Sequence, residues 1–160
     1  MNEATITTIE KFRLASLGCT GPVTDMGTQV NELWERFVHV EPEREWLQEG
    51  YYCAHIPIEN IFSFHIGRVI KDRNDVPSQM ETFIIQKHSY ATVRHQGPES
   101  SIIRTYHLLF KWIKKQGLQR DPFALQLEYH QTTRRTGIEI LEFDIFIPLK
   151  GENWKDPYSQ

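Results

Sequence analysis

The chain repeats itself. The run "IEKFRLASLGCTGPVTDMGTQVNELWER", Ile9 to Arg36, returns 76 residues later without a gap as "IQKHSYATVRHQGPESSIIRTYHLLFKW", Ile85 to Trp112. Ile9, Lys11, Ala15, Gly21 and Pro22 recur unchanged as Ile85, Lys87, Ala91, Gly97 and Pro98. The apolar register that follows repeats too. Met26, Val30, Leu33, Trp34 and Phe37 form a stripe of period 3.6, and each has an apolar counterpart at the same offset: Ile102, Tyr106, Leu109, Phe110 and Ile113. Each half therefore predicts a strand that turns into an amphipathic helix. Gly-Pro suits that hinge, because the residue before proline is driven out of the helical region while proline fits the first helical turn. Glu99, Ser100 and Ser101 place an acid and two hydroxyls by the free amides of the second helix.

After each helix come two segments rich in β-branched and aromatic residues, "YYCAHIPIE" and "FSFHIGRVIK" in the first half, "FALQLEYH" and "IEILEFDIFIPL" in the second. In "FALQLEYH", Ala124, Gln126, Glu128 and His130 alternate with Phe123, Leu125, Leu127 and Tyr129. The predicted class is α+β: two βαββ units, at about residues 5–72 and 80–150, forming a single domain with a polar link and a tail over 151–160. Two such units most simply share a sheet about an approximate twofold axis. Both helices then cover one side and the bare side forms a cleft. Subtracting 76 from Glu128 gives Tyr52, so these two are expected to face one another near the axis.

With 160 residues, 39% apolar and 24% charged, the chain is long enough for a proper core and too apolar to be disordered. A net charge of −3 gives no broad basic surface for duplex nucleic acid, and no direct nucleic-acid binding is expected. No uncharged apolar run approaches a membrane span, and the N-terminus lacks the basic start and apolar core of a signal peptide. Cys19 and Cys53 form no close pair. They are expected as reduced, half-buried thiols of a cytoplasmic protein. The seven histidines include no pair at the four-residue spacing of a helical metal site, so no metal and no cofactor is expected. No nucleophile motif or phosphate loop is present, so no catalytic residue is assigned.

The order and spacing of several runs resemble the GyrI-like family, whose domain also occurs attached to AraC-type and MerR-type transcription regulators. The runs are "YATVRHQGPESSIIRTYHLLFKWI", the earlier "LWERF", "FSFHIGRVI" with its glycine, "FALQLEY", and "EFDIFIPLK", in which Asp144, Ile145, Phe146, Ile147 and Pro148 follow the family's closing pattern. The resemblance spans roughly residues 5 to 150. It implies a duplicated fold with a ligand cleft between the halves and an acid at the base of that cleft, for which Glu128 is the position that fits. In some drug-binding relatives the acid sits four positions earlier, where this chain has Ala124.

The expected function is that of a stand-alone binding protein for an apolar organic ligand, a cation among the candidates, with Glu128, Phe146, Tyr52 and Phe64 around it. A carboxylate among rings is costly to keep charged, and an organic cation would offset that cost. The plainer alternative makes Glu128 a solvated strand residue and the aromatics core. Because the chain opens directly into its first strand, any role in transcription is expected to run through a protein partner. Two further readings stay open: a hydrolase of electrophilic small molecules using Glu128 and Tyr52, and a protein-binding modulator of a topoisomerase, such as a gyrase inhibitor.

Overall fold

A computed structural model describes residues 3–134 and 139–159. The first half runs β1 (Thr5–Ile9), β2 (Phe12–Pro22), α1 (Met26–Val40), β3 (Tyr51–Ile58) and β4 (Ile61–Ile70). The second runs β5 (Glu81–Ile85), β6 (His88–Gly97), α2 (Ile102–Lys115), β7 (Gln126–His130) and β8 (Leu141–Pro148). All strands join one sheet in the order β1-β6-β8-β7-β3-β4-β2-β5, with every neighbouring pair antiparallel. Exchanging each strand for its counterpart in the other half reverses this order and leaves it otherwise unchanged, so the pseudo-axis falls between β3 and β7.

Each half carries one strand more than the predicted strand, helix, strand, strand. The additional strands are β1 and β5, and they keep the offset of 76 residues: Thr5–Ile9 moves onto Glu81–Ile85. Neither pairs within its own half. β1 adds to β6 and β5 adds to β2, so each half supplies the edge strand of the other.

Three expectations are corrected in detail. Pro22 and Pro98 are extended (φ −68° and −69°) and precede a short 3-10 turn, so each proline stands before the helix rather than in its first turn. Ser101 caps α2 through no side-chain bond; its hydroxyl instead donates to the Pro98 carbonyl. β7 begins only at Gln126, so Ala124 lies in a bend before the strand. The expected run before β8 starts at Ile138, which lies outside the described residues.

Both helices cover the same face of the sheet. Val30, Leu33, Trp34 and Phe37 of α1 pack on Ala15, Leu17, Phe62, Phe64 and Ile66; Leu109 and Ile113 of α2 pack on Val93, Phe143, Ile145 and Ile147. The predicted stripes are thus the buried faces of the helices. A third cluster on the opposite face joins the halves through Leu14, Ala54, Val69, Ile85, Tyr90 and Leu127. Among the described residues, no helix is long and apolar enough to cross a membrane.

Candidate functional site

Strand alternation and pairing fix what lies between the two helices. On β7, Gln126, Glu128 and His130 point to the helix side and Leu127 and Tyr129 to the other. Cys53 of β3 pairs directly with Glu128, and Tyr52 with Tyr129. The floor of the gap between α1 and α2 is therefore Cys53 and His55 from β3 beside Glu128 and His130 from β7.

Glu128 is buried, with 6% of its surface exposed, and both of its carboxylate oxygens are engaged. The Tyr106 hydroxyl of α2 donates to Oε2 at 2.5 Å, and Nε2 of His130 lies 2.8 Å from Oε1. The His130 ring is stacked on Phe143 at 4.3 Å, and Trp34 of α1 meets it edge-on at 5.1 Å. His55 Nε2 lies 3.4 Å from the Tyr106 hydroxyl. Two polar atoms of this floor and wall, Trp34 Nε1 and His55 Nδ1, are buried without a hydrogen-bond partner among the described residues. At the mouth, Glu99 accepts from Asn31 of α1 at 3.1 Å and from Arg134 at 2.8 Å, tying the start of α2 to α1.

The electrostatics follow from this packing. Burial alone would raise the Glu128 carboxyl; the hydrogen bond and charge of His130, the charge of His55 and the Tyr106 hydroxyl outweigh it and hold the group at about 2. The same carboxylate acts on its neighbours. Burial first, and Glu128 second, push the Tyr106 phenol and the Cys53 thiol well above their ordinary values. Burial lowers His55, with Glu128 opposing. The result is a buried anion whose partners among the described residues are an imidazole and a phenol.

The four residues singled out from sequence do not share one cavity. Glu128 occupies the centre of the floor. Phe64 is on the same face, buried in the α1 core with its ring 5.5 Å from His55. Tyr52 and Phe146 are on the opposite face: Tyr52 packs on Phe12 at 4.7 Å and Tyr129 at 5.1 Å, and Phe146 on Tyr90 at 6.0 Å. For Tyr52 the reason is a slip of one residue: between β3 and β7 the halves correspond at 75 residues, as in Cys53 and Glu128 or His55 and His130, and in a strand a one-residue shift exchanges the faces. Phe146 pairs with Leu127 across β7 and β8 and shares its face. Glu128 therefore looks toward the helices and not into the bare side of the sheet.

Tyr106, His130, His55 and Cys53 are the partners that sequence reasoning did not select. His130 shares the alternation of Glu128 and was within reach of the pattern. Tyr106 belongs to a helix stripe and reads as core.

The family model of the GyrI-like small molecule binding domain matches residues 2–150. Among solved structures, SAV2435 bound to tetraphenylphosphonium aligns with a TM-score of 0.71 at 13% identity, covering 93% of this chain and 94% of that one. The C-terminal domain of EcmrR aligns at 0.69 with 16% identity, over 94% and 98%. A hydrolase from Listeria innocua aligns at 0.61 with 10% identity, over 92% of both chains. No curated protein matches the chain. At these identities the solved structures share the fold, while the family model covers nearly the whole sequence: the chain belongs to the GyrI-like small-molecule-binding domain family.

Proposed function

We propose that the chain binds a small, mostly apolar organic cation in the gap between α1 and α2, with Glu128 as its counter-ion. The observation that carries this reading is a buried carboxylate, held ionised, with no lysine or arginine bonded to it among the described residues. An anion in that position is costly, and a matching charge without a hydration shell offsets the cost. Ring faces at Tyr106 and Trp34 add about 0.5–2 kcal/mol for a well-placed cation. Arg134 is bonded to Glu99 rather than to the carboxylate, although its charge reaches Tyr106 and Cys53 beside it. Entry requires the Tyr106 ring and the Asn31–Glu99–Arg134 bridge to swing aside, since Trp34 is only 1% exposed and closes the wall. In the cytosol such a protein would pass the signal of its ligand to transcription through a protein partner; the likeness to EcmrR, also solved in complex with DNA, supports the link to transcription.

Tryptophan fluorescence titrated with tetraphenylphosphonium, and in parallel with neutral triphenylphosphine oxide, tests the reading. Saturable binding with a preference for the cation is expected, and Glu128→Gln should weaken the cation roughly tenfold or more, the equivalent of about 1.4 kcal/mol. Equal cation affinity in the two proteins would remove Glu128 from the role.

A second reading has its own support in the Glu128–Tyr106–His130 network, which combines a carboxylate, a phenol and an imidazole able to handle protons around a water. The fold shared with the Listeria innocua hydrolase favours it too. Turnover of an electrophilic alkylating compound, abolished in Glu128→Gln, would separate it from binding alone. Tyr52, on the other face of the sheet, has no part in this version.

A further inference from the structure

We propose that Cys53, Glu128 and His130 form a binding site for one divalent metal ion of the zinc class. The three come together by strand geometry. Cys53 and Glu128 are direct partners across β3 and β7, and His130 lies two residues further along β7 on the same face. One ligand atom from each, the thiol sulfur, a carboxylate oxygen and an imidazole nitrogen, lie within 4.8 Å of one another, and all three residues are buried.

A tetrahedral zinc ion takes sulfur at about 2.3 Å and nitrogen or oxygen at about 2.0–2.2 Å, which places its ligands about 3.3–3.6 Å apart. Small side-chain rotations reach that spacing, drawing the Cys53 sulfur in and parting His130 Nε2 from Glu128 Oε1, now 2.8 Å apart. The charge balances as well: a thiolate, a carboxylate and a neutral imidazole carry two negative charges, so a divalent ion leaves the buried site neutral. Binding releases the thiol proton, and the metal takes the place of the hydrogen bond between His130 Nε2 and Glu128 Oε1.

The surroundings act as an outer shell. Tyr106 holds Oε2 of Glu128 and leaves Oε1 toward the metal, and Phe143 and Trp34 fix the plane of the His130 ring. Calcium and magnesium demand sets of oxygen donors, whereas sulfur and imidazole nitrogen select zinc and its neighbours. Three protein ligands leave a fourth position for water or a bound molecule. This site goes beyond the organic-cation reading and competes with it, because a metal on Glu128 neutralises the charge that draws an organic cation.

Cobalt(II), a spectroscopic stand-in for zinc, tests the assignment on the reduced full chain. The expected result is one cobalt per chain with tetrahedral visible bands and a thiolate-to-cobalt charge-transfer band, both displaced by zinc. The charge-transfer band should vanish in Cys53→Ser, the tetrahedral bands should collapse in His130→Gln, and both should persist in Cys19→Ser. Cobalt bound without a thiolate band in the wild-type protein, or a band that survives Cys53→Ser, overturns the site; the wild-type spectrum decides even where a variant fails to fold. Tetraphenylphosphonium titrated into the metal-free and the zinc-loaded wild-type protein keeps the two ideas apart: a cobalt–thiolate spectrum with no binding of the organic cation to the metal-free protein leaves the metal site standing and sinks only the cation reading, while cation binding that zinc does not weaken, with no thiolate band, overturns the metal site alone.

Discussion

Glu128 and Tyr90 show how the same sheet treats ionisable groups on its two faces. On the helix side, two donors keep Glu128 charged in spite of its burial. On the opposite side, Tyr90 is 2% exposed among the residues that join the halves, and its phenol is pushed up to about 12, by burial first and by the charges of Tyr52 and Asp121 second. A folded value above the ordinary 10 means that the unfolded chain ionises first as pH rises. Tyr90 therefore contributes fully below pH 10, and its contribution is lost as pH climbs from 10 through about 12. Urea midpoints measured across that window should fall for the wild-type protein and fall less steeply for Tyr90→Phe. An identical pH slope in the two proteins would show that Tyr90 ionises as freely folded as unfolded.

At the scale of elements, two glycines give opposite expectations. Gly67 sits mid-strand in β4, flanked by Ser16 of β2 and Tyr52 of β3, and a Cβ there would run into the Ala15 carbonyl oxygen and the Leu14 side chain. A backbone atom held in a ladder cannot step back, so Gly67→Ala should cost roughly 1–3 kcal/mol by denaturant unfolding. Gly27, in the first turn of α1, has open space where its Cβ would go, and Gly27→Ala should stabilise by about 0.5–1 kcal/mol. This accounts for the glycine of "FSFHIGRVI", which the sequence marks without explaining. The helices were legible because their apolar stripes are long and repeat at one offset. β1 and β5 were not, because each is five residues long, lies at a sheet edge and pairs outside its own half. Glu128 was legible as a residue, through its strand pattern and the family resemblance. Its surroundings were not: the offset of 76 holds up to the helices, becomes 75 from β3 to β7 and 79 from β4 to β8, and a repeat seen in the first stretch carries no sign of those shifts. For the same reason a metal-ligand search along the sequence passes over Cys53 and His130, whose proximity comes from pairing across strands rather than from spacing within one.

Over the whole molecule, the halves are joined at three places in the sheet. β3 pairs with β7 at the centre, and β1 and β5 each complete the other half at the two edges. The connections behind those exchanged strands also meet: Glu10, between β1 and β2, lies 3.5 Å from Lys87, between β5 and β6. That exposed ion pair adds little stability. What couples the halves is the backbone pairing and the cluster of Leu14, Ala54, Val69, Ile85, Tyr90 and Leu127 that spans them. Opening one half alone would strip an edge strand from the other and expose part of this shared cluster, so neither half has a low-cost way to unfold while its twin stays intact. The chain should unfold as one cooperative unit. Native-state hydrogen exchange in low urea checks this: the slowest amides of β4 and β8 should converge on one opening free energy with one urea dependence. Two separate limiting values, one for each half, would mean that the exchanged strands peel away before the cores do, and that the gap holding Glu128 can open without global unfolding.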